Sequence, residues 1–419
     1  MKTMEKIIGE LLKAIEYIDI SNDPRDVLEF HNSGNYYEIT TNFVNDEIVI
    51  AYKQEALQHI EEALNHVFDL RNDLSEIVSE EFVMRNVKEI IKNALVNEDQ
   101  NKNNLIISDV EKFLSKIEKE DFIYFLRVFN LKCSKTYDFG TVRLYPNKTV
   151  FMKAVGEKYH LNEKEIEILD KYVKKNESDK EHCIAEVHIL SAEEFNAREK
   201  AFYDLDHFIN ILRGLNERNK IWIEGEASPV HRSYFRYYEK RKNLCFGFER
   251  LDEKNGRIEP FNLDKLYGFN PQLMNRIESV LKRENRTPME SKIVNSLTWL
   301  GESVKEKDDV HKLLKMIIAL ECLLLENEAN KKYVLAERCA FLLSNRFEDR
   351  IKIKELIVAV YGLRNAIIHE GKRPNIRKNV SKGLFTRIRE LNVKFLLSGE
   401  FKSMKDVHEF MEQVKYGPK

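Results

Sequence analysis

The stretch Tyr361-Gly-Leu-Arg-Asn-Ala-Ile-Ile-His-Glu-Gly371 decides how the carboxyl-terminal third of this chain is interpreted. Apolar residues before and within it recur at three- and four-residue steps, which predicts a helix with one buried face. Arg364, Asn365 and His369 project from other parts of the same helix, and Gly371 is a natural residue to follow its last turn. A permanently charged side chain therefore stands five residues before one that titrates near neutral pH, a combination suited to phosphate chemistry.

Length and composition indicate a soluble, globular protein of two or three domains. The chain has 419 residues, of which 43% are hydrophobic and 33% charged, so it can bury more than one core. The formal net charge is only -2, which excludes a uniformly basic nucleic-acid binder and leaves any basic surface to local clustering. The five scattered cysteines form no Cys-x-x-Cys pair, which favours a reduced, cytoplasmic protein without a zinc or redox motif.

Neither export nor membrane insertion is predicted. Residues 1–20 interleave Lys and Glu with Ile and Leu, which indicates an amphipathic helix rather than a signal peptide. The most apolar run, Leu313 to Leu325, contains Lys315 and Glu321 and is shorter than the roughly 20 apolar residues that a membrane span requires. We therefore expect no membrane partner.

The periodicity of apolar residues predicts a multidomain α+β protein with three regions. Residues 1–115 show mainly helical spacing with a short extended patch, and Asn97 to Asn104 form a polar linker near the end of this region. Residues 116–285 alternate β-rich runs with helices, which predicts an α+β domain. Sensing a trigger and binding RNA or a protein partner are the candidate roles for this domain, although the periodicity itself does not indicate them. Residues 286–419 show helical spacing throughout and predict an all-α bundle.

Strands and helices are predicted from their separate periodicities. Four runs rich in β-branched and aromatic residues predict strands: Phe122–Leu131, Thr141–Tyr145, Cys183–Leu190 and Lys220–Glu224. Six amphipathic runs predict the bundle: Met289–Val304, Asp309–Leu325, Val334–Leu343, Lys352–His369, Lys378–Leu397 and Ser403–Lys415. The run Ser233–Phe248 mixes aromatic and basic residues, which suits either RNA binding or, more often, a hairpin with an aromatic face and a basic turn.

An Arg-to-His spacing is weak evidence for a site when it stands alone. Arg25 and His31 form another such pair near the amino terminus, which we interpret as structural. The Arg364 pair differs because two further segments of the same predicted bundle carry recognisable patterns. They are Lys312-Leu-Leu-Lys-Met-Ile-Ile-Ala-Leu-Glu-Cys-Leu-Leu-Leu325 and Leu335-Ala-Glu-Arg-Cys-Ala-Phe-Leu-Leu343.

Together with the stretch around Arg364, these segments resemble the Apea-like branch of the HEPN superfamily. The family patterns are an ALExLL helix, an AERxAxLL helix and a closing YxLRNxIxHxG helix. The resemblance is specific over about residues 288–398, looser over the region before them, and absent from residues 1–115. It implies a HEPN-like helical bundle in which the functional motif falls on Arg364, Asn365 and His369.

The resemblance also implies an activity. Members with an intact motif are typically metal-independent endoribonucleases without a cofactor, often toxins or antiviral effectors that act by abortive infection. The expected product of 2′-hydroxyl attack carries a 2′,3′-cyclic phosphate, and the expected assembly is a homodimer through the carboxyl-terminal helices. The alternative is a non-catalytic HEPN-type dimerisation or RNA-binding module in a larger complex.

The residues themselves are suited to this chemistry. Cleavage of RNA by its own 2′-hydroxyl needs a base, an acid and a group that stabilises negative charge. Arg364 can hold two phosphate oxygens, His369 can serve as base or acid, and Asn365 can orient the histidine. One chain offers a single such histidine, so a symmetric dimer would supply both roles. The competing interpretation pairs Arg364 with a nearby glutamate, Glu321 or Glu370, and leaves His369 only to end the helix.

Basic residues just past the motif are the predicted RNA contacts. Lys372, Arg373, Arg377 and Lys378 begin a run without an acidic residue before Arg389, which suits phosphate binding. A solvated helix face explains the same run equally well. The bound RNA is unspecified, with tRNA as one candidate, and toxicity would call for a regulatory protein partner.

Two further sets of polar residues are assigned to the fold. Glu321 and Arg338 are predicted to form a buried polar pair within the bundle. His182 and His188 flank a predicted strand without a second ligand pair, so they are interpreted as fold residues rather than zinc ligands.

Overall fold

The computed structural model shows a mixed α+β protein whose part from residue 271 onward is entirely helical. Both features confirm the prediction of a mixed α+β chain with an all-helical carboxyl-terminal region. The chain divides into two compact units, one of residues 1–122 and 189–200 and the other of residues 123–188 and 201–419. The structure describes residues 2–21, 26–42, 48–71, 73–97, 101–174, 182–216, 221–223, 232–238, 243–249, 261–263 and 271–417. Arg25 lies outside these ranges.

The first unit is helical around a small antiparallel sheet. Its helices are α1 (Lys2–Glu16), α2 (Asp26–Ser33), α3 (Gln54–Leu70), α4 (Leu74–Ile77), α5 (Glu80–Val96) and α6 (Lys102–Lys116). Its strands are β1 (Ile18–Ser21), β2 (Glu38–Asn42) and β3 (Ile48–Tyr52), paired in the order β1-β3-β2. Ile7, Ile60, Ile91 and Val110 are buried in one core, which joins α1, α3, α5 and α6.

The linker predicted at Asn97–Asn104 is only partly correct. Asn97 ends α5, residues 98–100 lie outside the described ranges, and α6 already begins at Lys102. The asparagines favour turns because they cap helices: the side chain of Asn101 accepts a hydrogen bond from the backbone N–H of Asn103. A run rich in turn formers therefore marks the boundary between two packed helices.

The second unit contains a seven-stranded sheet. Its strands are β4 (Glu120–Phe129), β6 (Tyr137–Asp138), β7 (Val142–Tyr145), β8 (His182–Ser191), β9 (Trp222–Ile223), β10 (Arg232–Tyr238) and β11 (Asn243–Glu249). The order is β11-β10-β4-β8-β7-β6, and β9 pairs with β4. A separate parallel pair joins β5 (Leu131–Lys132) to β12 (Phe261–Asn262). Three helices accompany the sheet: α7 (Lys148–Tyr159), α8 (Glu163–Lys174) and α9 (Glu194–Leu215).

The strand predictions hold for the runs that the structure describes. Strands β10 and β11 form an antiparallel hairpin, with Ser233 opposite Phe248. This pairing agrees with the hairpin interpretation of the run Ser233–Phe248. Its turn, residues 239–242, lies outside the described ranges. Of the predicted strand Lys220–Glu224, Trp222 and Ile223 form β9, and both ends of the run lie outside those ranges.

A buried carboxylate on β8 ties two neighbouring elements to it. Glu186 has no exposed surface, and its carboxylate accepts hydrogen bonds from Lys158 Nζ at 2.6 Å, His188 Nε2 at 2.6 Å, Tyr159 OH at 2.8 Å and the hydroxyl of Tyr145. Burial alone would raise the pKa of Glu186, but the donors, His188 first, outweigh it and hold the pKa well below its usual range. His188 therefore serves the fold.

The helical part of the chain follows the sequence prediction closely. Its helices are α10 (Pro271–Lys282), α11 (Pro288–Lys305), α12 (Asp309–Leu324), α13 (Lys331–Leu343), α14 (Phe347–Glu370), α15 (Lys378–Ser398) and α16 (Met404–Tyr416). The start of α11 shows why: Thr287 and Glu290 form a capping box around Pro288. Two differences stand out. The sequence did not predict α10, which lies in the region assigned to the α+β domain. Helix α14 begins at Phe347 rather than Lys352 because Glu348 and Asp349 favour a helix amino terminus.

Membrane insertion finds no support in these helices. Within the described residues, no helix combines the length and the apolar character that a bilayer crossing demands.

Two glycines let α9 and α11 touch backbone to backbone. A Cβ atom added at Gly301 would lie 1.9 Å from the carbonyl oxygen of Asn210, and one at Gly214 would lie 2.4 Å from that of Leu297. Neither position has room for a side chain, because the obstructing atoms belong to the facing backbone. The two helices therefore cross at a fixed separation.

We expect Gly301→Ala to destabilise the protein by about 3 kcal/mol, because the added methyl group forces α9 away from α11. Gly9→Ala is the matched control, since Gly9 also lies in a helix but an added Cβ meets nothing within 4 Å. The control should gain roughly 0.5–1 kcal/mol from helix propensity. Urea unfolding of both variants measures the difference, and equal stability would contradict the close contact.

We expect Glu186→Gln to lose roughly 2–4 kcal/mol of stability at pH 7, because Lys158 and His188 lose their carboxylate partner. The folded-state pKa of Glu186 is depressed, so its contribution is complete above the unfolded pKa of about 4.3 and is lost as the pH falls further. The gap between wild type and variant should therefore shrink below about pH 4. Glu167→Gln, at an exposed pair with Lys171, should leave stability nearly unchanged at every pH.

Candidate functional site

The last two turns of α14 carry the predicted motif. Ile353, Ile357 and Val360 are buried earlier in the helix and fix its orientation. The helix ends at Gly371, whose φ of 63° lies in the left-handed region, and the backbone N–H of Lys372 closes the last turn onto the carbonyl of Ala366 at 3.1 Å. The predicted role of Gly371 is confirmed.

The three predicted motif residues converge in space. Arg364 Nη1 lies 3.4 Å from Asn365 Oδ1 and 3.5 Å from His369 Nε2. Because a guanidinium only donates hydrogen bonds, Nε2 acts as the acceptor in this arrangement, and the ring proton of neutral His369 then lies on Nδ1. Arg364 and Asn365 are half-buried and His369 is exposed. The cluster can therefore meet a large ligand from solvent.

Tyr361 contacts both Arg364 of the motif and Glu321 of α12. It was assigned no role from the sequence. Its hydroxyl donates to Glu321 Oε1 at 2.8 Å, and the guanidinium carbon of Arg364 lies 5.5 Å from its ring centroid. Burial, reinforced by Glu321, raises the pKa of Tyr361 to about 12, so the phenol remains a donor. The three-residue step from Tyr361 to Arg364 was readable in the sequence, whereas the contact with α12 was not.

The predicted pair of Glu321 with Arg338 is wrong. Arg338 is buried, but it binds Glu328 at 2.6 Å and the carbonyl oxygen of Leu324. An arginine on α13 lies opposite the end of α12, where carbonyl groups lack helical partners, and it satisfies one of them. Glu321 is thereby left to Tyr361.

The glutamates considered as alternative partners of Arg364 are engaged elsewhere. Glu321 accepts from Tyr361, and Glu370 forms an ion pair with Lys372 at 2.5 Å. The observed neighbours of Arg364 are instead Asn365 and the histidine.

The predicted RNA-contacting residues lie beside the motif. The side chains of Lys372 and Arg373 are 67% and 71% exposed, and those of Arg377 and Lys378, at the start of α15, are also exposed. Although the local sequence lacks acidic residues, Arg373 lies 3.4 Å from Asp308 at the start of α12. The fold therefore offsets part of the basic charge that the sequence suggested.

A group of possible metal ligands occurs elsewhere, in the first unit. Glu10, His59 and Glu62 place ligand atoms within 4.8 Å of one another, and within the described residues this is the one such group. Glu10 also binds Lys13 at 2.8 Å, which already neutralises its charge. The group does not adjoin any predicted site residue in sequence.

The chain was compared with known proteins, and it matches no protein-family model, no curated protein and no solved structure.

We expect Tyr361→Phe to cost about 1 kcal/mol of stability, because Glu321 loses its donor while the ring beneath Arg364 is kept. Tyr333→Phe is the control, since Tyr333 on α13 is 57% exposed. Thermal unfolding compares the two variants. Equal stability would show that the hydroxyl of Tyr361 makes no net contribution.

Proposed function

We propose that this protein is a metal-independent endoribonuclease of the HEPN type. The observation that carries the proposal is the convergence of Arg364, Asn365 and His369 on the exposed end of α14. The sequence patterns of α12, α13 and α14, which resemble those of the Apea-like HEPN branch, support the same assignment.

The chemistry needs no group beyond such side chains. A histidine accepts the proton of the 2′-hydroxyl, whose oxygen forms a bond to the adjacent phosphorus, and the bond from phosphorus to the 5′-oxygen breaks. An acid protonates the departing oxygen, which leaves a 2′,3′-cyclic phosphate and a 5′-hydroxyl. Arg364 binds the phosphate oxygens and stabilises their added charge, and Asn365 orients the reacting groups.

The proposal includes a two-fold dimer, because one motif supplies one histidine. Phe347, Ile351, Gly362 and His369 follow one another at steps of 4, 11 and 7 residues, so they share one face of α14. On this face Phe347 is 71% exposed and Ile351 40% exposed, and the glycine leaves open space. A second copy of the same face would cover these apolar groups and bring a second His369 to the cleft.

The proposed biological role is that of a toxin or antiviral effector. In this role residues 1–285 sense a trigger or bind a regulatory partner, and the exposed Lys372, Arg373, Arg377 and Lys378 guide RNA to the cleft. The non-catalytic dimerisation or RNA-binding module remains the alternative, and activity of the purified protein separates the two.

We expect the purified protein to cleave tRNA or total RNA in the presence of a chelator, leaving cyclic-phosphate ends. His369→Ala and Arg364→Ala should each reduce the rate at least about 100-fold, because each removes a group that acts in the transition state. Arg364→Lys should retain part of the rate, since it keeps the charge but loses bidentate binding.

Arg346→Ala and His66→Ala are the controls for lost charge and lost imidazole, and both should cleave at the wild-type rate. Arg346 precedes α14 and is 77% exposed, and His66 lies in the first unit. Cleavage that survives in His369→Ala and Arg364→Ala would show that the activity arises elsewhere or from a contaminant.

We expect Phe347→Glu to yield a monomer with little activity, because a charge placed on the shared face of α14 opposes pairing. Tyr333→Glu, which introduces the same charge at an exposed aromatic residue of α13, should remain dimeric and active. Light scattering after gel filtration gives the mass. An active wild-type monomer would exclude the composite cleft.

A further inference from the structure

A groove between α9 and α11 has the composition of a binding site. It encloses about 340 Å³ and is lined from one side by Tyr203, Asp206 and His207 of α9 and from the other by Trp299 and Glu302 of α11. The backbone contacts at Gly214 and Gly301 hold the two walls at a set distance. The groove is therefore formed before any ligand arrives, which lowers the entropic cost of binding.

The aromatic side chains of the groove are available to a planar ligand. Tyr203 is 71% exposed and Trp299 38% exposed, and the ring of Tyr203 stacks on His207 with centroids 6.4 Å apart and planes inclined by 21°. Burial, with the charge of Arg286, lowers the pKa of His207, so this stack is uncharged near neutral pH. Exposed rings of this kind stack on nucleobases.

The carboxylates of the groove offer hydrogen-bond acceptors without a large net charge. Asp206 is held by Arg213 and by Lys305, each at 2.9 Å. Glu302 is held less tightly by cations, with Lys305 at 3.6 Å and Lys315 at 3.5 Å, and its Oε1 also accepts a hydrogen bond from the side-chain amide of Asn210. Asn210 and Lys315 each engage one oxygen of this carboxylate, and because a carboxylate oxygen has two lone pairs, each oxygen can accept a second hydrogen bond from a ligand that carries adjacent N–H donors.

Guanine is the nucleobase with that pattern. Its N1–H and its 2-amino group lie side by side and match the two oxygens of one carboxylate. Adenine, by contrast, presents an acceptor at N1. The acceptor-rich groove therefore favours guanine over the other bases.

The groove and Arg373, which follows the motif, both contact the first half of α12. Lys315 of α12 contacts Glu302 in the groove, and Asp308, at the start of the same helix, contacts Arg373 just past the motif. Seven residues of helix separate Lys315 from Asp308, a rise of about 10 Å. One RNA strand can span this distance.

We propose that the groove between α9 and α11 binds a guanine base of the RNA substrate, with Tyr203 and Trp299 stacking on the base and Glu302 accepting from N1–H and the 2-amino group. This specificity site rests on the proposed ribonuclease function, since it names a base of that enzyme's substrate.

The test uses the full-length protein with guanosine, inosine and adenosine as probes. Tryptophan fluorescence reports on Trp299 together with Trp222, so the Trp299→Phe variant assigns the signal, and equilibrium dialysis supplies an affinity that does not depend on the fluorophore. We expect saturable quenching by guanosine and about tenfold weaker binding of inosine, which lacks the 2-amino group. Trp299→Phe should lose the quenching.

Three variants locate the site. Tyr203→Ala should weaken guanosine binding about tenfold through lost stacking, and Glu302→Gln should bring the guanosine and inosine affinities within about threefold of each other. Tyr333→Ala, an exposed tyrosine on α13, should bind guanosine as wild type does. Circular dichroism confirms that each variant is folded. Equal affinities for guanosine and inosine in wild type, or unchanged binding in folded Tyr203→Ala, would overturn the proposal.

Cleavage separates this proposal from the function on which it rests. Tyr203→Ala should lose the preference for cutting near guanine while still cutting RNA, and His369→Ala should lose cutting while still binding guanosine. Cleavage without guanosine binding would refute the proposed guanine site and leave the proposed ribonuclease function intact. Guanosine binding without cleavage would refute the proposed ribonuclease function, and the groove would remain a guanosine-binding site.

Discussion

The contact between α9 and α11 is the constraint on which the arrangement of the second unit depends. At Gly214 and Gly301 the two helices meet through their backbones, so their separation cannot be adjusted by repacking side chains. Phe208 of α9 also packs against Phe139 beside the sheet, with ring centroids 4.5 Å apart. The strands and the carboxyl-terminal helices are therefore joined within one unit through α9, and the position of α11 in turn sets that of α12 beside it.

From α12 the constraint reaches the candidate site through the hydrogen bond between Tyr361 and Glu321, and α14 also packs against α13. Glu321 receives the hydroxyl of Tyr361, and the tyrosine ring lies beneath the guanidinium of Arg364. The charged group is thus oriented by packing from one side and by Asn365 from the other. His369, on the last turn, lies 3.5 Å from Arg364, and it is exposed to incoming ligands.

The sequence predicted best what is decided by neighbouring residues. The capping box of Thr287 and Glu290 and the stop at Gly371 lie within the segments that they delimit, so the start of α11 and the end of α14 were predicted to within one residue. Contacts across the fold were missed: no local pattern links Glu321 to Tyr361, which is 40 residues away. The linker predicted around Asn101 proved to be partly helix. The residue types that form loops also cap helices, so their presence alone did not distinguish the two.

The contact of Arg364 with His369 has a consequence for when the site can act. In the structure Arg364 Nη1 lies 3.5 Å from His369 Nε2. A phosphate that draws Arg364 to itself would free that nitrogen at the moment the substrate arrives. Under the proposed chemistry the arginine would thus serve both as an anion receptor and as a cover for the base, and a bound nucleic-acid backbone would expose the histidine nitrogen.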